Sequence, residues 1–463
     1  MNGDLGQKDA SAVTVRAAMG EVWRIALPLM VSTGTFSLVL FADRTFLLKY
    51  DGASMSASMA AGNLFWVLIC LPMGIASMTG AIISQYVGAG QKEKIGRFLW
   101  QSIWMSLVFA PWFALIAWQA PWLFTITGQP DALVPLGVLY LRILMIGAVG
   151  GVMETALSGF YSGTERTQVI MWVSLASGLL NVVLDIALIF GAGPFPEMGI
   201  AGAAIASVIS FWFKAVVYAW LLMRPHFEQQ YHFRRGFSFD FPMWSNLLFF
   251  GFPTGLMYVT ESGGFTVMLL RIGSYGDIPL RATTMAINFN MIAFIPLIGV
   301  SIAASVLVGK HLTETGPVPA VKSVYAALVI GLAYSFAWMI AYLTAGDWMM
   351  SLYKFDNVGE DSLAAIVLAK GLLSFVAFYV VLDATQLILA GALRGAGDTW
   401  YVLLGGLVAS GTSLAIGFAL EPETDGLRWW WTVLAGWVTL LAVVMGIRFA
   451  SGKWKSMRMV EEA

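Results

Sequence analysis

Asn181 and Asp185 stand four residues apart in Leu180-Asn181-Val182-Val183-Leu184-Asp185, inside an apolar run, so they share one face of a helix. An amide and a carboxylate on one face can hold a small cation through hard oxygens, or can hold a proton. Simple interhelical hydrogen bonding is the other use of such a pair. Asp43, in Phe41-Ala42-Asp43-Arg44 near the end of the first apolar run, is a further intramembrane acid that faces a cavity or partner, or else a helix-end ion-pair partner of Arg44 or an interface group. Ser207, in Gly199-Ile200-Ala201-Gly202-Ala203-Ala204-Ile205-Ala206-Ser207, can supply a hydroxyl to the same place. Glu261, in Tyr258-Val259-Thr260-Glu261-Ser262-Gly263-Gly264-Phe265, and Asp383, in Val380-Val381-Leu382-Asp383-Ala384-Thr385-Gln386, have no basic residue one helical turn away. A local ion pair is therefore closed to them. If their side chains converge, with oxygens such as that of Thr260, they make a second candidate Na+ site; a protonated carboxyl bonded to a neighbouring helix is the alternative. Glu154 is a further acid in an apolar run. Two cations, Arg142 and Lys370, also lie in apolar runs and read as partners that neutralise nearby carboxylates.

The elements that must position these residues are long apolar helices. The chain of 463 residues is 59% hydrophobic and 11% charged, with a mean hydropathy of +0.77, more apolar surface than a soluble protein of this size can hide. Hydropathy and the Gly, Pro and charge punctuation predict twelve spans near 22–48, 57–87, 98–120, 134–162, 167–192, 199–223, 243–272, 282–309, 322–344, 363–393, 399–420 and 428–450. Apolar runs beyond twenty residues without alternation exclude a transmembrane β-barrel. The expected organisation is an N-terminal segment 1–21, an N-lobe 22–223, a linker 224–242, a C-lobe 243–450 and a tail 451–463. The first residues lack the pattern of a signal peptide, and the lone Cys70 leaves no intrachain disulfide. A net charge of −1 without a basic tract gives no nucleic-acid surface.

An even number of spans puts both termini on one side. Seventeen Lys and Arg fall on that side against six on the other, which places both termini in the cytoplasm. The chain also repeats itself. One constant offset carries Pro28 onto Pro253, Asn63 onto Asn288, Gly74 onto Gly299 and Gln85 onto Lys310. Arg142 and Lys370 fall close to the same offset, so they occupy similar places in the two halves. The frame Gly159, Gly163, Thr167 returns as Gly391, Gly395, Thr399, where small residues at i and i+4 let helices approach closely and a turn follows. Six helices per half give parallel repeats, with a cavity expected between them. Pro28 and Pro253 each delete a helical hydrogen bond in the first span of a half and are candidate bending points.

In these stretches the chain resembles the multidrug and toxic-compound extrusion (MATE) family, in particular its NorM-like branch. The resemblance rests on Pro28 with Phe41-Ala42-Asp43, Gln85-Tyr86-Val87-Gly88-Ala89-Gly90, Asn181 to Asp185 with Ile189-Phe190-Gly191, Gly199 to Ser207, Pro253 with Glu261, Asp383, and Leu393-Arg394-Gly395-Ala396-Gly397-Asp398-Thr399. It implies an all-α membrane protein of two six-helix lobes in a V, working by alternating access. It implies a cation or proton site in the N-lobe at Asp43, Asn181 and Asp185, and a cation site in the C-lobe at Glu261 and Asp383. Ser207 departs from the threonine many members carry but keeps the hydroxyl. With both sets present, Na+ and H+ both stay open as the coupling ion, the resemblance to the NorM-like branch tipping slightly toward Na+, and no cofactor is implied.

The favoured function is secondary active export of amphipathic, often cationic compounds, coupled to inward Na+ or H+, by a multi-pass protein of the bacterial inner membrane acting as a monomer. No P-loop is visible for direct ATP coupling. A flippase for lipid-linked precursors is the alternative; it would need a strongly basic cavity, whereas acids outnumber bases in the spans. An intramembrane enzyme is disfavoured because His226, His232 and His311 lie in or near loops and form no metal-ligand pattern.

Overall fold

The computed structural model describes residues 15–126, 130–353 and 360–461 of the chain. Residues 1–14 of the expected N-terminal segment, with Lys8, lie outside the described residues, as does Lys354 of the opposite-side charge count. All regular structure among the described residues is helical. The helices are α1 (Val15–Tyr50), α2 (Gly52–Gly88), α3 (Ile95–Val108), α4 (Ala110–Ile126), α5 (Val134–Gly163), α6 (Thr167–Ile189), α7 (Ile200–Leu222) and the short α8 (Pro225–Tyr231). Then come α9 (Phe241–Gly273), α10 (Asp277–Glu314), α11 (Pro317–Thr344), the short α12 (Gly346–Ser351), α13 (Glu360–Ala396), α14 (Thr399–Ala419) and α15 (Gly426–Ser451).

Eleven stretches among the described residues are long and apolar enough to cross a membrane, with α3 and α4 forming one of them. The remaining long helix, α9, has 33 residues, but Asn246, Thr254, Thr260, Glu261 and Ser262 dilute its apolar character. Prolines set local detail. Pro111 opens α4, where a missing N–H costs little. Pro121, inside α4, cannot bond the carbonyl of Ala117 four residues earlier; Arg142 Nε donates to that carbonyl at 3.1 Å. Arg142, expected beside a carboxylate, thus serves a backbone oxygen instead. Lys370 does meet a carboxylate, Asp347, at 2.6 Å, in an exposed pair of small energetic weight.

The described residues pack as two compact units. One holds the chain up to Met30 together with Thr260 to Arg458; the other holds Val31 to Val259 together with residues from Met459. Each unit therefore contains a helix end from the other half of the sequence. In the first, a Cβ placed on Gly299 of α10 would lie 2.6 Å from the backbone nitrogen of Met30 in α1. In the second, a Cβ on Gly74 of α2 would lie 2.6 Å from the backbone nitrogen of Gly255 in α9. The offset that carries Gly74 onto Gly299 also carries Met30 onto Gly255, so the duplication repeats in packing as well as in sequence.

The repeated glycine frame is a second such pair of contacts. Cβ atoms on Gly159 and Gly163 of α5 would come within 2.9 Å and 2.6 Å of the Gly80 nitrogen and oxygen in α2. Those on Gly391 and Gly395 of α13 would strike the Ser301 and Ser305 carbonyls of α10. Two residues past each second glycine, Glu165 (φ 59°) and Gly397 (φ 98°) turn the chain through the left-handed region, and Thr167 and Thr399 open the next helices. Backbone against backbone cannot be relieved by a rotamer change. Gly74→Ala and Gly299→Ala should each cost about 1–3 kcal/mol or more. Gly371 and Gly436, where an added Cβ meets nothing within 4 Å, should accept alanine without loss. Thermal unfolding of the purified variants separates the two classes; equal melting temperatures would contradict the packing described.

Candidate functional site

Helices α1 and α6 meet along a seam whose residues recur at helical spacing. Ser32 and Ser174 share a hydrogen bond of 2.6 Å between their hydroxyls. One turn on, Gly178 lets Thr35 and Val39 approach: a Cβ on it would lie 2.8 Å from Thr35 Cγ2 and 3.3 Å from Val39 Cγ2. This close approach brings Asp43, three turns past Ser32, level with Asn181 and Asp185. The three are almost sealed from solvent, at 5%, 1% and 0% exposure.

The Asn181 amide has one orientation that puts its donors on acceptors. Its nitrogen then donates to Asp43 Oδ1 at 3.0 Å and to Asp185 Oδ2 at 3.3 Å. The carboxyl groups of Asp43 and Asp185 lie close enough to interact directly, and Ser207 on α7 stands beside Asp43. Asp185 Oδ1 is buried without a hydrogen-bond partner. Tyr140 on α5 lies close enough to both acids to interact electrostatically. The structure thus gathers all four expected N-half residues and adds Tyr140, which nothing in its sequence surroundings marked. Two carboxylates in contact inside a low-dielectric core repel each other strongly. A proton or a cation between them removes the repulsion, so the cluster can bind and release one positive charge. Glu154, by contrast, is held in a 3.1 Å ion pair with Lys214 of α7.

In the second half the acids do not converge in the same way. Asp383 on α13 is buried, and Gln386 one turn on donates to its Oδ1 at 3.1 Å. Glu261 on α9 interacts electrostatically with Arg394 and with Asp383. Arg394 also donates through Nη2 to Ser301 Oγ at 3.3 Å. Its approach to Glu261 was readable only in the eleven-residue step from Asp383, which puts both on one face of α13. A guanidinium beside the pair supplies positive charge that Na+ would otherwise bring. Pro28 and Pro253 lie inside α1 and α9, shortly before the points where those helices pass from one packing unit to the other.

A duplicated set of membrane-crossing helices with polar residues gathered at a buried helix seam is the architecture of a multi-pass transporter. The sequence model of the MatE family matches residues 28–187 and again 253–419, once in each half. The chain belongs to the MatE family. It is similar to the "Probable multidrug resistance protein NorM" of Burkholderia mallei, 28% identical over 92% of this chain and 91% of that one. It is also similar to the "Multidrug resistance protein PmpM" of Pseudomonas aeruginosa, 27% identical over 96% of this chain and 94% of the relative. Among solved structures, a MOP superfamily transporter from Pyrococcus furiosus, described as having a reversed polarity of its binding pocket that suggests a different function, shares the fold with a TM-score of 0.85. It is 20% identical, with 95% of this chain and 97% of that one covered.

Proposed function

We propose that this protein is a secondary active exporter of amphipathic, cationic compounds, driven by inward movement of protons through Asp43 and Asp185. The single observation that carries this reading is the direct contact of the two buried acids, bridged by Asn181. With a proton shared, the cluster is compatible with its apolar surroundings. With the proton gone, two adjacent negative charges demand a cation, and the substrate is one. Proton and substrate then exclude each other, as exchange requires. Helices α1 and α6 meet directly at the seam, so a change of charge at Asp43 acts on the helix that Pro28 weakens. Names of relatives as multidrug resistance proteins support export of small-molecule drugs. The excess of Lys and Arg on the side of both termini supports a cytoplasmic location for them, in a bacterial inner membrane. No cofactor enters the cycle, and a monomer contains the complete site.

Na+ at the same cluster is the second reading, favoured by the unpartnered Asp185 Oδ1 and the oxygens of Asn181 and Ser207. Proteoliposomes given a pH gradient and a Na+ gradient separately distinguish the two. Proton coupling predicts efflux of a cationic dye under the pH gradient alone, in Na+-free medium; efflux only under the Na+ gradient would reverse the assignment.

Arg394 makes a second prediction here. Because it already neutralises the neighbourhood of Glu261, Glu261→Gln and Asp383→Asn should slow transport without removing its dependence on the pH gradient. Loss of that dependence in both variants, with normal protein levels, would move the coupling site to the second half.

A further inference from the structure

The offset that relates Pro28 to Pro253 also relates Gln85, near the end of α2, to Lys310, and Glu21 to Asn246, near the start of α9. In one unit that pair is ionic: Lys310 Nζ lies 4.0 Å from Glu21 Oε1, and His311 Nε2 lies 3.2 Å from Glu21 Oε2. They tie the end of α10 to the start of α1. In the other unit both charges are replaced by amides, which cannot form an ion pair. The amides instead both bind one residue of the segment that follows α15. The Met459 N–H donates to Gln85 Oε1 at 2.7 Å, and Asn246 Nδ2 donates to the Met459 carbonyl at 2.8 Å. Two residues on, Gln91 Nε2 donates to the Glu461 carbonyl at 2.9 Å. Gln85 is fully buried, and Met459 and Val460 are buried at 4% and 7% exposure.

We propose that Gln85, Asn246 and Gln91 form a binding site for a peptide backbone, and that residues 459–461 are its resident, releasable ligand. The bound segment latches α2, from the first half of the sequence, to α9, from the second. The site is independent of what the protein transports. Contacts to backbone groups account for the site: both polar atoms of Met459 are matched by amides, which present a donor and an acceptor where Lys and Glu could not. The latch is neutral, so salt does not weaken it, whereas the Lys310–Glu21 latch is subject to screening. Three side-chain hydrogen bonds and the burial of Met459 and Val460 hold the segment, without a covalent cross-link, so local opening can free it while the helices stay folded.

The test places one thiol on the ligand: Val460→Cys with the native Cys70 changed to alanine, in the full chain. Labelling by a charged maleimide should be slow. Gln85→Ala with Asn246→Ala should accelerate it by roughly tenfold or more, as expected when two net hydrogen bonds are lost. Unchanged labelling, or fast labelling before the substitutions, would overturn the site. The latch is read separately by spin labels at the exposed Glu93 and Phe241, near the joined helix ends. Truncation after Arg458 should lengthen and broaden their distance distribution, and Gln85→Lys with Asn246→Glu, which copies the ionic pair of the other unit, should restore it in the truncated chain. Met459→Pro, which removes the N–H that Gln85 accepts together with the methionine side chain, serves the same purpose if the truncated chain does not fold. An unaltered distribution in the folded variant refutes the latch.

Discussion

Asp185→Asn protein, reconstituted in vesicles, should export no more cationic dye than vesicles without protein, yet should be at least as stable as the original. The two halves of this expectation have one cause. Asparagine keeps the shape of the side chain and can bond Asp43 and Asn181, so the seam between α1 and α6 persists. It removes one of two touching acids, and with it both the repulsion in the buried cluster and the group that exchanges charge. Activity and stability therefore part company, which a merely structural role for Asp185 does not allow. A protein that loses transport and melting temperature together would point to damaged packing. One that keeps transport would remove Asp185 from the mechanism.

Asp398→Ala should have the largest effect on stability. Asp398, in the turn between α13 and α14, is 5% exposed and accepts two hydrogen bonds from Arg448 of α15, at 2.6 Å from Nε and 3.1 Å from Nη2. The guanidinium also lies 4.5 Å from the ring of Tyr401. Deleting the acid leaves a largely buried cation without its partner, a change that typically costs about 3–5 kcal/mol. Removing both charges is less harmful, because the penalty lies in the unpaired charge and not in the absence of the pair. Asp398→Ala with Arg448→Met should recover much of the loss. Thermal or denaturant unfolding of the single and double variants checks this; additive losses would show that the ion pair is not the source.

Much of this architecture can be read from residue types. Apolar runs broken by Gly, Pro and charge located the helices, and the offset shared by Pro28 with Pro253 and Gly74 with Gly299 exposed the duplication. The fourfold step from Asn181 to Asp185 put both on one face, so only the approach of α1 was needed to assemble the cluster. What resisted reading was contact between distant helices. Tyr140 reaches the acids from α5 with no local pattern to mark it. Arg142 looked like a counter-ion because intramembrane cations usually are, but Pro121 on another helix freed a carbonyl that it serves. Arg394, in the repeated motif that closes α13, lies within electrostatic range of Glu261 on a distant helix. Nor does the chain order disclose that the start of α1 packs with the second half of the sequence. That follows from the close contact at Gly299, where the absence of a side chain is the only signal.

The central claim is that substrate and proton compete for Asp43 and Asp185, and proton release on substrate binding tests it most directly. Purified protein in weakly buffered, Na+-free detergent solution is mixed with a cationic dye while pH is recorded. The account predicts acidification in proportion to dye bound, and none from the Asp185→Asn protein. Dye binding without proton release, or equal release from the Asp185→Asn protein, would contradict it.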